Sequence, residues 1–276
     1  PPPIPPWLAS TDPRYVAMAM ALPKDAPIGG SAVVGYPGFK VFRAPDSYEI
    51  IGLNVSSYDG NIDWLQVAQI PKMQFAYIRA TSRIKDKNFD SNWTGAKRAG
   101  LKRGGYHVFD FAKSATEQFE LIRKSIPRDE EALPFGIDPE MFSTARLSED
   151  KRKAAGIELL KLKQLCSEYF AKPVVLYGAG KFFAEFPESV AAGDSIWLAR
   201  YVQKGPAAGF TPPHLPGNEP WTIWQFAGEA KVQGVPHGAD LNAFFGTAAE
   251  FHAFARGERG VASRQTFLSG RMPFEE

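Results

Sequence analysis

Asp138 and Glu140 stand two residues apart in the run Leu133-Pro-Phe-Gly-Ile-Asp-Pro-Glu-Met-Phe142. Side chains on a strand repeat every two residues, so an extended backbone would point both carboxyls to one face. Two carboxyls on one face can divide the work of glycoside hydrolysis. One protonates the leaving oxygen while the other stabilises positive charge on the sugar. The same spacing also suits an ordinary acidic pair where a strand meets a loop, and spacing alone leaves both readings open.

Such a pair needs a frame. From Tyr48 onward, short apolar runs alternate with amphipathic stretches. The runs at 49–55, 75–80, 103–109, 133–138, 173–177, 195–201, 221–226 and 240–244 read as strands. Residues 92–100, 115–125, 149–170, 182–186 and 247–256 read as helices, with Gly100 as a C-terminal cap. Strands alternating with helices imply a mostly parallel sheet. So many strands in one domain favour a closed α/β barrel, irregular because helices thin out toward the C-terminus. Barrels of this kind place their chemistry where strands end. Asn54, His107, Asp138, Glu140, Tyr177, Arg200, Gln225 and Asp240 all fall at or near such ends. Gly178-Ala-Gly-Lys181 lacks the spacing of a phosphate-binding loop and reads as a turn into a helix.

Composition narrows the function classes. The 276 residues are 44% hydrophobic, enough for one large core. A formal charge of +2 with scattered Lys and Arg suits a polyanionic substrate such as a cell wall and carries no nucleic-acid signature. Cys166, the single cysteine, lies in an apolar helical pattern and reads as a buried structural thiol. The four histidines show no metal-ligand spacing, and no apolar run reaches membrane-spanning length. Residues 1–47 form a Pro/Gly-rich extension that could dock onto a partner, 48–256 the barrel, and 257–276 a polar tail. The chain opens on Pro rather than Met, which points to an upstream piece, for which a targeting segment is one candidate.

Nine runs now carry a resemblance. They are 52–64 (Gly52-Leu-Asn-Val-Ser-Ser-Tyr-Asp-Gly-Asn-Ile-Asp-Trp64), 75–81, 92–101, 105–109, 137–140 (Ile137-Asp-Pro-Glu140), 173–177, 196–201, 221–226 and 239–242. In this order they resemble the family 25 glycoside hydrolases, the Chalaropsis-type lysozymes. The resemblance implies a TIM-like barrel of about five βα units followed by a more β-rich end. It implies cleavage of the β-1,4 bond between N-acetylmuramic acid and N-acetylglucosamine in peptidoglycan, with no cofactor and a secreted or cell-envelope location. By motif, Glu140 would be the general acid/base, Asp138 would orient the substrate N-acetyl group as internal nucleophile, and Asp240 would line the same pocket. Tyr106 matches a pocket tyrosine. His107, Tyr177, Trp197, Arg200 and Trp224 are further candidates for the sugar groove, with core packing as the competing role for the tryptophans.

One position departs from the pattern. The family carries Asp where this chain has Asn54. Asn keeps the acceptor oxygen and loses the charge, and a nearby negative charge would help hold Glu140 protonated. Three readings follow: an active enzyme that tolerates Asn, a deliberately disabled substitution, or a wall-binding protein with weak or no catalysis. Asp59 and Asp63 read as a turn residue and a helix N-terminus.

Overall fold

The computed structural model describes residues 48–139, 148–186, 189, 194–200 and 221–258, together with the backbone of 32–33 and 42–43. Most of the N-terminal extension, Glu140 and the tail beyond 258 lie outside the described residues. Ala32–Val33 and Phe42–Arg43 pair antiparallel.

Eight strands close into a barrel: β1 (Ile51–Val55), β2 (Met73–Thr81), β3 (Lys102–Val108), β4 (Gly136–Asp138), β5 (Val175–Ala179), β6 (Ser195–Ala199), β7 (Ile223–Ala230) and β8 (Ala239–Phe244). Strands β1 to β7 pair in parallel in chain order. Strand β8 runs antiparallel to both β7 and β1 and closes the ring. Five helices fill the crossovers from β1 to β6: α1 (Trp64–Val67), α2 (Phe89–Arg98), α3 (Ala115–Ser125), α4 (Glu149–Phe170) and α5 (Gly180–Glu185). Among the described residues the barrel therefore has five βα units followed by a β-richer end. A sixth helix, α6 (Ala248–Ala255), follows β8, and its Phe251 packs against Phe75 and Phe244. Phe75 lies near the start of β2 and Phe244 ends β8, so α6 plugs the end of the barrel opposite the C-terminal ends of the parallel strands.

Local chemistry sets the element ends. Ser114 and Glu117 form a reciprocal capping box at the start of α3, and Thr247 and Glu250 do the same for α6. Asp63 caps α1 by accepting from the Gln66 amide. Gly100, at φ 82°, takes the left-handed conformation just past α2. No turn separates β5 from α5, because the strand runs to Ala179 and the helix starts at Gly180. Among the described residues no helix is long and apolar enough to cross a membrane.

Two apolar layers follow from strand alternation. Ile51, Leu53, Ala76, Ile78, Ile137, Leu176, Leu198 and Phe226 face outward to the helices. Phe75, Tyr77, Tyr106, Tyr177, Trp197, Ile223 and Phe244 fill the barrel interior. Each Ile, Leu or Phe among them contributes about 1.5–3 kcal/mol when fully buried. A Cβ on Gly104 would sit 2.6 Å from the Tyr77 ring, so this position admits the ring only because it lacks a side chain. Cys166, on α4, is buried in the outer layer, and burial pushes its thiol pKa up.

Candidate active site

The interior face of β8 starts with Asp240, and antiparallel pairing sets it opposite Asn54 near the end of β1. Asn54 Nδ2 donates to Asp240 Oδ2 at 3.0 Å. Asn54 Oδ1 accepts from Gln225 Nε2 and Asn242 Nδ2, both at 2.9 Å. Gln225 Nε2 also donates to Asp240 Oδ2 at 3.0 Å. The Tyr177 hydroxyl donates to Gln225 Oε1, and Trp197 Nε1 donates to Asn242 Oδ1, both at 2.7 Å. Each amide thus accepts at its oxygen and donates from its nitrogen, and the chain of donors ends on the Asp240 carboxylate. Asn54 makes three side-chain hydrogen bonds, which matters because an unpaired buried amide costs about 1–3 kcal/mol.

Around this network the barrel mouth gathers charge. Gly136 and Asp138 share the interior face of β4, since Ile137 between them packs outward. Tyr106 meets Trp197 edge-on at 6.0 Å between ring centroids. Burial raises the Tyr106 phenol far above its usual range, Arg79 opposes that, and Asp138, Asp240 and Asp59 add to it. Asp59 caps its own turn by accepting from the Ser56 amide at 2.6 Å. Its carboxyl is raised first by burial and further by Asp240, against the Ser56 bonds and Arg79. Arg79 pairs with Asp86 at 2.7 Å and lies 4.7 Å from the centroid of Tyr58, a ring 78% exposed at the rim.

The mouth thus brings together Asn54, Asp138, Asp240, Tyr106 and Tyr177, with Trp197 buried beneath as a floor. Arg200 follows the last residue of β6 and is exposed, with its carbonyl accepting from Trp224 Nε1 at 2.8 Å. Two candidates do not join the site. His107 is completely buried on the outer face, with Nδ1 2.8 Å from Thr81 Oγ1 and Nε2 2.9 Å from Gln118 Oε1 on α3. Trp224 is buried in the outer layer against Tyr48 and Trp221. The reason is the same for both. Tyr106 and Gln225 take the interior positions, and the next residue on a strand must face the other way. Gln225 and Asn242 are the network members whose pairing role the strand-end reading did not supply. Asn242 could have been found from its spacing of two from Asp240.

His107 has a measurable consequence. Burial is the main cause that lowers its pKa from 6.5 to about 4, with Gln118, Thr81 and Asp110 acting the other way. The folded ring stays neutral while the unfolded ring takes up a proton below pH 6.5, so stability falls as pH drops from 6.5 toward 4. A loss of order 3 kcal/mol is expected at the acid end. A His107→Gln variant should lose less melting temperature than the parent between pH 7 and 4.5; equal losses would remove His107 from the acid response.

Comparison with known proteins decides the family. Residues 53–235 match the model of Glycosyl hydrolases family 25. This chain belongs to glycosyl hydrolase family 25. It is 30% identical over 240 residues to YegX of Escherichia coli strain K12, covering 81% of this chain and 80% of that protein. Lysozyme M1 of Streptomyces globisporus is 28% identical over 236 residues, covering 79% and 76%. The structure of a family 25 glycosyl hydrolase from Bacillus anthracis superposes with a TM-score of 0.68 at 30% identity, covering 77% of this chain and 96% of that one. The family 25 chain is thus a glycoside hydrolase, and its irregular barrel is the family's fold.

Proposed function

We propose that this family 25 member is a muramidase that cleaves the β-1,4 bond between N-acetylmuramic acid and N-acetylglucosamine in peptidoglycan. The observation that carries the reading is the convergence of Asp138, Asp240 and the hydrogen-bonded Asn54 around Tyr106 at the mouth of a family 25 barrel. Its substrate would place the work outside the cytoplasmic membrane, in the envelope or beyond.

Glu140 serves as general acid and base. Its proton passes to the glycosidic oxygen as the C1–O bond breaks. The carbonyl oxygen of the substrate's own N-acetyl group attacks C1, and Asp138 holds the amide N–H that becomes acidic as positive charge develops. Water then attacks C1 and gives its proton to Glu140, restoring the N-acetyl group with retention at C1. Asp240, receiving hydrogen bonds from Asn54 and Gln225, stays an acceptor that faces the sugar.

Release of reducing N-acetylmuramic acid ends from purified peptidoglycan tests the reading; cleavage that left N-acetylglucosamine at the reducing end would exclude a muramidase. Wall stripped of N-acetyl groups is expected to be cut at least about a hundredfold more slowly, because an intramolecular nucleophile of high effective concentration is gone. Equal rates on both walls would rule out substrate assistance. Asn54 favours a second reading, a wall-binding protein with little turnover. In that case sacculi would bind the chain without releasing reducing ends.

A further inference from the structure

Beside the barrel mouth lies an open cavity of about 430 Å³ to which the reaction above assigns nothing. Its walls include Ser57 and Asn61 after β1, Lys87 and Asn88 between β2 and α2, and His237 between β7 and β8. These three connections are tied to one another. Asn88 Nδ2 donates to the Gly60 carbonyl at 3.2 Å, and the Ser57 amide donates to Asp86 at 3.0 Å. His237 Nδ1 lies 2.8 Å from the Tyr58 carbonyl. A carbonyl only accepts, so Nδ1 carries the proton and Nε2 remains for a further hydrogen bond.

The charge on this cavity is one-sided. Lys87 is exposed and has no ion pair among the described residues. The adjacent acid, Asp86, is engaged by Arg79 and by the Ser57 and Asn88 amides. Burial is the largest influence on Asp86 and works against its charge, yet those bonds hold its carboxyl below the usual range. Lys87 is thus the wall's one ammonium, and a second, Lys231 Nζ, donates to the carbonyl of the wall residue Pro236 at 3.3 Å. No Trp, Tyr or Phe ring is among the cavity's wall residues to stack on a sugar. An ammonium beside amides and a hydroxyl suits a peptide that carries carboxylates.

Distance links the cavity to the site. Ser57 follows Asn54 by three residues and His237 precedes Asp240 by three. Each residue spans at most about 3.6 Å, so both walls lie within roughly 11 Å of the network. A peptide attached to muramic acid covers that reach in about three residues.

We propose that this cavity receives the carboxylate-bearing stem peptide of a muramyl residue bound at the mouth, so that the chain recognises peptide as well as glycan. The inference rests on the muramidase reading for its choice of substrate. It is tested by calorimetric titration of the intact protein with three soluble probes: an N-acetylglucosaminyl-N-acetylmuramyl tetrapeptide, the same disaccharide without peptide, and the tetrapeptide with its carboxylates amidated. The first is expected to bind about tenfold more tightly than the other two. Lys87→Glu is expected to erase that advantage. Equal affinity for all three probes, or a Lys87→Glu effect that weakens all three alike, would overturn the proposal. Cleavage of stem-free glycan as well as of stem-bearing glycan, with no stem preference in binding, would leave the muramidase standing and remove the stem site. A stem preference in a protein that cuts no glycan would do the reverse.

Discussion

Peptidoglycan incubated with a Glu140→Gln form of this chain is expected to release almost no new reducing ends. General acid–base catalysis by a positioned side chain contributes about 10²- to 10⁴-fold, and the amide can neither give nor take the proton. Thermal unfolding is expected to stay where it was, because Gln matches Glu in shape and keeps an acceptor oxygen. That pairing of outcomes matters, since a variant that merely fails to fold would also be inactive. The control is binding to sacculi, which the substitution should leave intact. Undiminished turnover would remove Glu140 from the mechanism and move attention to Asp138 and Asp240.

An Asn54→Asp variant tests the departure from the family pattern. Position 54 contacts Asp240 Oδ2 at 3.0 Å through its amide nitrogen. With Asp there, Oδ1 would keep its two donors, but the second oxygen would face a carboxylate. Repulsion of two unit charges 3 Å apart is about 5 kcal/mol at an effective dielectric of about 20. Releasing the proton of an ordinary aspartate at pH 7 is favourable by only about 4 kcal/mol. The repulsion wins narrowly, so the pair would share a proton near neutrality.

Two results follow. The folded pKa of the pair would be raised above its unfolded value, so the penalty is absent below about pH 4 and grows as pH rises toward neutral. The variant is therefore expected to lose about 2–4 kcal/mol of stability relative to the parent between pH 4 and 7. Turnover should move the other way. Near pH 7 the shared proton leaves the pair with the parent's net charge. At higher pH, where that proton is lost, the added negative charge favours the protonated form of Glu140, with about tenfold more acid present for each unit its pKa rises. The alkaline limb of the rate profile should move up in pH. Reducing-end release and melting temperature measured together across pH 4 to 8 separate the two effects. An unmoved profile would mean that the neutral network around Asn54 is the working form. Activity confined to the variant would make the parent a wall-binding protein.

Much of this was legible in the chain because it is local. Apolar periodicity placed all eight barrel strands and five of the six described helices, and the capping pairs Ser114/Glu117 and Thr247/Glu250 start α3 and α6 close to where they were expected. For the short α1 only the start was legible, in Asp63 as a helix N-terminus, since four residues are too few to show a period. Placing Asp138 on an interior face needed only the alternation of one strand. Alternation applied strictly would also have separated Tyr106 from His107 and Trp224 from Gln225, because neighbours on a strand cannot share a face.

Closure lay beyond any local rule. Asp240 meets Asn54 across 186 residues because β8 enters the ring antiparallel, which brings its first residues to the mouth that the other strands reach with their last. Nothing within β8 itself states that direction. It depends on which edges remain unpaired once seven parallel strands have curled round, and on the register in which one strand satisfies both. The residue types and the order of elements belong to the sequence. The neutral network that binds Asn54, Gln225 and Asn242 to the Asp240 carboxylate was decided only by the closed barrel, since hydrogen bonds require atoms to meet within about 3 Å and only tertiary pairing brings them there.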